Sequence, residues 1–158
     1  FQKREKTCAV SKIKRDSLTL AIKNCVELGV TKIHIVNTEY SQNFPINLEK
    51  LHKVAISSLL QSNNLFLPEI LIEDNFDLFV QNHSNSLIVM DNRTKSSKKE
   101  ESSKFNEKML FVGPEAGFSD SERDLFTKYD VSTFSLSCPI MRAETAIVAG
   151  LSFLHFNY

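Results

Sequence analysis

Two short stretches hold the residues best suited to chemistry. In GPEAGFSDSE (113–122), Gly113 and Gly117, half of the chain's four glycines, stand within five positions around Pro114, Glu115 and Ala116. Glycine lets backbone turn sharply or approach a ligand closely, and proline fixes the φ of the next step. Ser119 followed by Glu122 has the spacing of a capping box, so a helix starts here with its free N–H groups beside the turn. Two readings are open: a tight strand–helix turn, or a cradle in which backbone meets a ligand. A nucleotide-phosphate loop is disfavoured, because no Gly-Lys-Ser/Thr follows and no Gly-x-Gly-x-x-Gly occurs anywhere.

The second stretch is LSCPIMRAET (136–145). Arg142 falls at the start of the last predicted helix, where the helix dipole disfavours a cation. An arginine so placed either pairs locally with Glu144 or has an anion to meet, such as a phosphate or a developing negative charge. Cys138 has no histidine near it in sequence and reads as a neutral thiol. His34, His52, His83 and His155 show no metal-ligand spacing.

Both stretches need a scaffold, and the pattern around them supplies one. Apolar residues at helical spacing predict helices over 16–28, 48–60, 76–80, 121–128 and 144–156. Short apolar runs predict strands over 32–37, 68–73, 86–91, 109–113 and 131–137. Strand–helix alternation with continuously apolar strands argues an α/β fold, a parallel sheet covered by helices on both faces. Such sheets bind ligands beyond the carboxyl ends of their strands, which here means the turns after Asp91, Gly113 and Ser137. The last helix is apolar on nearly every side and is expected to be buried, in the monomer or in a subunit interface.

At 158 residues the chain is most simply one domain, 42% hydrophobic and 24% charged. No apolar run is long enough to span a membrane. Three cysteines without a Cys-x-x-Cys pair read as reduced thiols in a cytoplasmic protein. Nineteen basic and nineteen acidic residues cancel, so net charge does not point to nucleic acid. Two runs are locally basic, KREKTCAVSKIKR (3–15) and RTKSSKKEESSK (93–104). They read as a solvated terminus and a surface loop, or else as phosphate-contacting patches.

Four ordered segments together carry a resemblance. GPEAGFSDSE, followed about twenty residues on by LSCPIMRAETA, resembles the paired C-terminal motifs of the RsmE-type ribosomal RNA methyltransferases of the SPOUT class. Upstream, ELGVTKIHIVNTEYS (27–41) and HKVAISSLLQSNNLFLPEI (52–70) are similar to two further segments of that family. The resemblance runs from about residue 11 onward. It implies one SPOUT domain over 1–158, with residues 1–10 the remnant of a preceding linker or strand. It also implies a C-terminal deep trefoil knot and S-adenosylmethionine as cofactor. The implied reaction is methyl transfer to N3 of a uridine in small-subunit ribosomal RNA. The implied assembly is a cytoplasmic homodimer joined through the C-terminal helix, without membrane or metal. Family members also carry an N-terminal PUA-like barrel, and the resemblance implies that the residues here correspond to the catalytic domain without it.

By the same resemblance, Gly113, Pro114, Glu115, Ala116 and Gly117 form one wall of the cofactor pocket. Leu136, Ser137, Ile140, Met141, Arg142 and Thr145 form another. Arg142 is the implied catalytic residue, steadying charge on the uracil, with Glu144 and Thr145 in support. The sequence departs from the family pattern at Ala116 and Ser137, each in place of a glycine, and at Ala143 in place of a threonine. Tyr40 stands where an arginine is usual, and Asn63-Asn64 replaces a Gly-Arg pair. These departures keep two alternatives in view: a non-catalytic RNA-binding or ribosome-assembly module of the same fold, and a SPOUT methyltransferase acting on transfer RNA.

Overall fold

The computed structural model describes residues 5–94, 107–136 and 139–155. Among the described residues there are six strands and five helices: β1 (Thr7–Ser11), α1 (Arg15–Glu27), β2 (Lys32–Val36), α2 (Leu48–Ser62), β3 (Glu69–Glu73), α3 (Phe76–His83), β4 (Leu87–Met90), β5 (Met109–Val112), α4 (Asp120–Lys128), β6 (Ser132–Phe134) and α5 (Ala143–His155). The strands form one sheet in the order β3-β2-β1-β5-β4-β6. Every pairing is parallel. The expected α/β architecture is therefore present.

Alternation along each strand splits the core in two. Cys8, Val10, Ile33, Ile35, Leu110 and Val112 face the layer of α1, α2 and α5. Ala9, Val36, Val89 and Phe111 face α3 and α4. Both faces are thus covered, as continuous apolar strands such as LIVM and MLFV demand. The second face is rich in rings: Phe111 meets Phe118 at 5.1 Å and Phe79 at 5.6 Å between centroids, both edge to face.

One sequence expectation is corrected at the start of the chain. The basic run 3–15 reads as solvated, yet Thr7–Ser11 within it is the strand between β2 and β5, with Cys8, Ala9, Val10 and Ser11 all at 0% exposure. Its lysines and arginines bracket Cys8, Ala9 and Val10, and averaging charge over thirteen residues hid the strand. The last helix is buried largely within the monomer, one of the two placements expected for it. Ala146, Ile147, Gly150, Leu151 and Leu154 pack it onto the sheet and α1, so most of its apolar surface is used within the monomer. Gly150 explains the close approach: a Cβ there would lie 2.7 Å from Met90 Cε and 2.8 Å from Leu110 Cδ2. Val148 and Phe153 remain partly exposed. Among the described residues no helix is long and apolar enough to cross a membrane.

Candidate active site

Strand order places the site. The chain moves outward from β1 through β2 and β3 on one side, and β5, β4 and β6 occupy the other. Ligands of open parallel sheets sit beyond the carboxyl ends of the strands where this reversal occurs. Two clefts open there, one on each side of the turn after β5.

The turn itself is the stretch 113–117. Gly117 N donates to Pro114 O at 2.8 Å, and Gly117 has φ +75°, a conformation that side-chain-bearing residues rarely adopt. Gly113 is glycine for another reason: a Cβ there would lie 2.8 Å from the Phe118 ring. Of the two readings left open for these glycines, the tight turn alone already accounts for both, through turn geometry at Gly117 and ring packing at Gly113. Ala116 is not in the left-handed region, so its methyl replaces the family's glycine without backbone strain.

Downstream, the capping box is present. Ser119 Oγ accepts from Glu122 N at 3.2 Å, and Ser119 N donates to Glu122 Oε2 at 2.9 Å. The other carboxylate oxygen, Oε1, accepts from Glu39 N at 2.7 Å, which ties the loop after β2 to the turn after β5. That loop is closed by its own bonds, Thr38 N to Ser41 Oγ at 2.8 Å and Gln42 N to Lys12 O at 2.8 Å.

The first cleft lies between the ends of β4 and β5 and the start of α5. Gly113, Pro114, Glu115, Ala116 and Gly117 line one side, Ile140 and Met141 another, and Asp91 with Arg123 the floor. Seven of the sequence-derived cofactor residues are thus brought together. Leu136 is not among them and packs against the core instead. Arg142 and Thr145 do not line this cleft and are exposed. Ser137 lies outside the described residues, as does Cys138.

Sequence reasoning missed Asp91 and Arg123 as a pair. Arg123 Nε donates to Asp91 Oδ2 at 2.7 Å and Nη2 to Oδ1 at 3.1 Å, while Nη1 reaches Phe118 O. This fork joins the turn after β4 to the turn after β5 and to α4. The Asp91 hydrogen bond is the largest of the effects holding the guanidinium pKa above its ordinary value. No local signal marks the pair, because 32 residues separate the partners.

The second cleft lies between the ends of β1 and β5, on the far side of the same turn. Lys14, Ser17, Tyr40 and Gln42 face Glu144 and the shared Pro114, Glu115 and Ala116. Arg142 immediately precedes α5, whose Ala146 N donates to its carbonyl at 2.9 Å. No ion pair joins Arg142 to Glu144 among the described residues. Glu144 is only 8% exposed, and its Oε2 has no hydrogen-bond partner there.

Residues 2–155 match the family model described as an RNA methyltransferase domain. The chain is 32% identical over 157 residues to ribosomal RNA small subunit methyltransferase E of Rickettsia conorii, covering 96% of this chain and 64% of that protein. It is 27% identical to ribosomal RNA small subunit methyltransferase E 2 of Borreliella burgdorferi, covering 91% and 63%. The chain therefore spans a little under two thirds of these curated relatives. Among solved structures, a methyltransferase of Legionella pneumophila in complex with S-adenosylmethionine superposes with a TM-score of 0.80 at 23% identity, covering 98% of this chain and 68% of that one. Ribosomal RNA small subunit methyltransferase E of Neisseria gonorrhoeae, bound to S-adenosylmethionine, gives 0.78 at 22% identity, covering 94% and 64%. At these identities the superpositions establish the fold.

Proposed function

The chain belongs to the RNA methyltransferase domain family, and from that premise we propose that it is the catalytic domain of a cytoplasmic S-adenosylmethionine-dependent enzyme methylating N3 of a uridine in small-subunit ribosomal RNA. The observation that carries this reading is the first cleft: the turn 113–117 and the approach to α5 converge beyond the carboxyl ends of β4 and β5. The named relatives support the substrate class. The trefoil knot and a homodimer that uses the exposed Val148 and Phe153 of α5 belong to the same proposal.

The cleft suits the cofactor chemically. Met90, Val112, Met141 and Ala146 offer apolar surface for an adenine ring, and Glu115 offers a carboxylate to a cationic ligand. Bound there, S-adenosylmethionine would supply an activated methyl group, whose transfer needs an aligned nucleophile and no covalent intermediate. The protein's task is then positioning and electrostatics. The Asp91–Arg123 fork fixes the floor and the Pro114–Gly117 turn fixes the wall. Arg142, exposed beside the cleft, meets the RNA and steadies charge on the base. Ala116 fits its position without strain, which removes one reason to favour a non-catalytic module.

Calorimetric titration with S-adenosylmethionine tests the reading. The wild-type chain is expected to bind. Gly117→Val, which forces a β-branched residue into φ +75°, is expected to move the wall and weaken binding at least about tenfold. Arg142→Ala is expected to keep binding and to lose methyl incorporation into unmodified small-subunit ribosomal RNA. A folded chain that binds no S-adenosylmethionine would overturn the proposal.

A further inference from the structure

The carboxyl ends of β1, β2 and β3 present a surface that the cofactor cleft does not reach. Once β1 is buried, three cations of the basic run 3–15 stand just beyond its end: Lys12, Lys14 and Arg15, the last two exposed. None of them forms an ion pair among the described residues, whereas Lys32, Lys53 and Arg123 each meet a carboxylate. The start of α1 does not favour them either. Lys14 is its N-cap and makes no side-chain cap bond, and the helix dipole disfavours cations at that end. Asp16 is the one acidic residue of the first turn. One ring holds two of the three. Arg15 Cζ lies 4.9 Å and Lys12 Nζ 5.7 Å from the centroid of Phe44. A cation–π contact of this kind fixes a charge in place without neutralising it, so the charge stays available to an anion from outside.

Beside these cations, between the end of β1, the loop after β2 and the end of β3, lies a groove of about 230 Å³. Phe44, Pro45, Ile46 and Ile72 give it apolar walls. It is smaller than the roughly 300–1,000 Å³ of a site for a drug-sized ligand, so it suits a single flat ring and not a second cofactor. Its polar lining is Lys12, Asn37 and Asp74. The Asn37 amide can donate to and accept from a base edge, and Asp74 repels phosphate, which leaves the phosphates to the Lys12 and Arg15 side. The frame is stiff. Lys12 N donates to Val36 O at 3.0 Å, Gln42 N donates to Lys12 O at 2.8 Å, and Asn37 N donates to Glu73 O at 2.8 Å. The bond from Glu39 N to Glu122 Oε1 joins the same loop to the cofactor turn. Only β1 stands between β2 and β5, so their carboxyl ends lie about 10 Å apart at the usual strand spacing. Lys14, which lines the second cleft, lies between the groove and the cofactor cleft.

We propose that this surface docks single-stranded RNA beside the target nucleotide: Lys12, Lys14 and Arg15 take phosphates, and the groove takes an unstacked flanking base. The inference rests on the ribosomal RNA reading above and adds to it the path of the strand. An acidic peptide would also satisfy the cations, but it has no use for a groove sized to a flat ring. A duplex keeps its bases stacked and paired, and so cannot fill the groove. The contacts go to phosphates and to a base through apolar walls, so the surface supplies affinity and register and little sequence preference.

Three variants test this. Lys12→Gln/Arg15→Gln removes two charges from side chains that are at least partly exposed and leaves the backbone bonds in place. Phe44→Leu keeps an apolar side chain and removes the ring. Lys32→Gln/Lys108→Gln removes the same charge at the amino ends of β2 and β5, as a control. Binding of an unmodified small-subunit ribosomal RNA transcript is measured by filter retention from about 50 to 200 mM salt, and S-adenosylmethionine affinity by calorimetry. Lys12→Gln/Arg15→Gln is expected to lose at least about tenfold in RNA affinity and to flatten the dependence of log K on log salt by about 0.7 for each lost phosphate contact. Phe44→Leu is expected to weaken RNA binding at least about fivefold with the salt slope unchanged. All three are expected to bind S-adenosylmethionine within about twofold of wild type, since none of the altered residues lines the cofactor cleft. RNA affinity of Lys12→Gln/Arg15→Gln within about twofold of wild type overturns the inference, as does an equal loss in the control or a wild-type chain that retains no transcript. Full RNA affinity in folded Phe44→Leu overturns the groove's part in it, and if that variant does not fold the double variant decides alone. A wild type that retains the transcript but binds no S-adenosylmethionine overturns the proposed function, while the filter assay still decides the docking surface.

Discussion

Arg123 shows what a single side chain can coordinate. Its fork grips Asp91, which is 8% exposed, and a third nitrogen holds the Phe118 carbonyl, so one residue fixes two turns of the cofactor cleft. Removing it leaves a buried carboxylate without its cation, which costs far more than a surface pair. Arg123→Ala is therefore expected to lower stability by about 2–4 kcal/mol in urea titrations. It should also weaken S-adenosylmethionine binding, since Asp91 lines the cleft floor. An unchanged denaturation midpoint would show that the pair carries no weight. At this scale the sequence was only partly legible. Gly113 and Gly117 announced a special turn, but the Phe118 ring that excludes a Cβ at Gly113 is visible only once the chain has folded. Arg123 looked like any polar residue on the surface of a short helix, because its partner is remote in sequence.

At the scale of elements, α5 was legible as an apolar helix and less so in what it covers. Most of its apolar residues pack on the sheet and α1, while Val148 and Phe153 stay exposed. Its last turn carries a consequence for pH. His155 is held from its ordinary pKa of 6.5 down to about 4, chiefly by burial and then by the nearby Lys6 ammonium. His83, at the end of α3, is shifted in the same direction, chiefly by burial and next by His34. A histidine whose folded pKa is depressed binds protons more readily in the unfolded chain. Stability from this source is thus fully present above about pH 6.5 and is lost as pH falls toward about 4. The urea midpoint is expected to drop between about pH 7 and pH 5, and the drop should shrink in His155→Gln. An equal drop in that variant would assign the effect elsewhere.

For the whole molecule, the alternation of strands and helices was enough to read a parallel sheet with two covered faces. What periodicity could not reveal was strand order, because the pairing of β1 with β5 is a long-range choice that no local pattern records. The centrality of Thr7–Ser11 was lost for that reason and because flanking lysines masked it. A chain beginning at Lys12 would lack the middle of the sheet and is expected not to fold, which a one-dimensional proton spectrum without dispersed methyl signals would confirm. A dispersed native spectrum from that truncation would contradict the assigned topology. The same strand sets a timetable during synthesis. β1 can pair with β2 soon after both leave the ribosome, but its other neighbour is translated about 100 residues later, roughly 5–20 s at usual elongation rates. Through that interval β3, β2 and β1 form at most half a sheet, with the future centre of the protein standing as a bare apolar edge. The nascent chain is thus most vulnerable to misassociation just before Met109–Val112 emerges, and it is there that a chaperone holding the growing polypeptide would have most effect on yield.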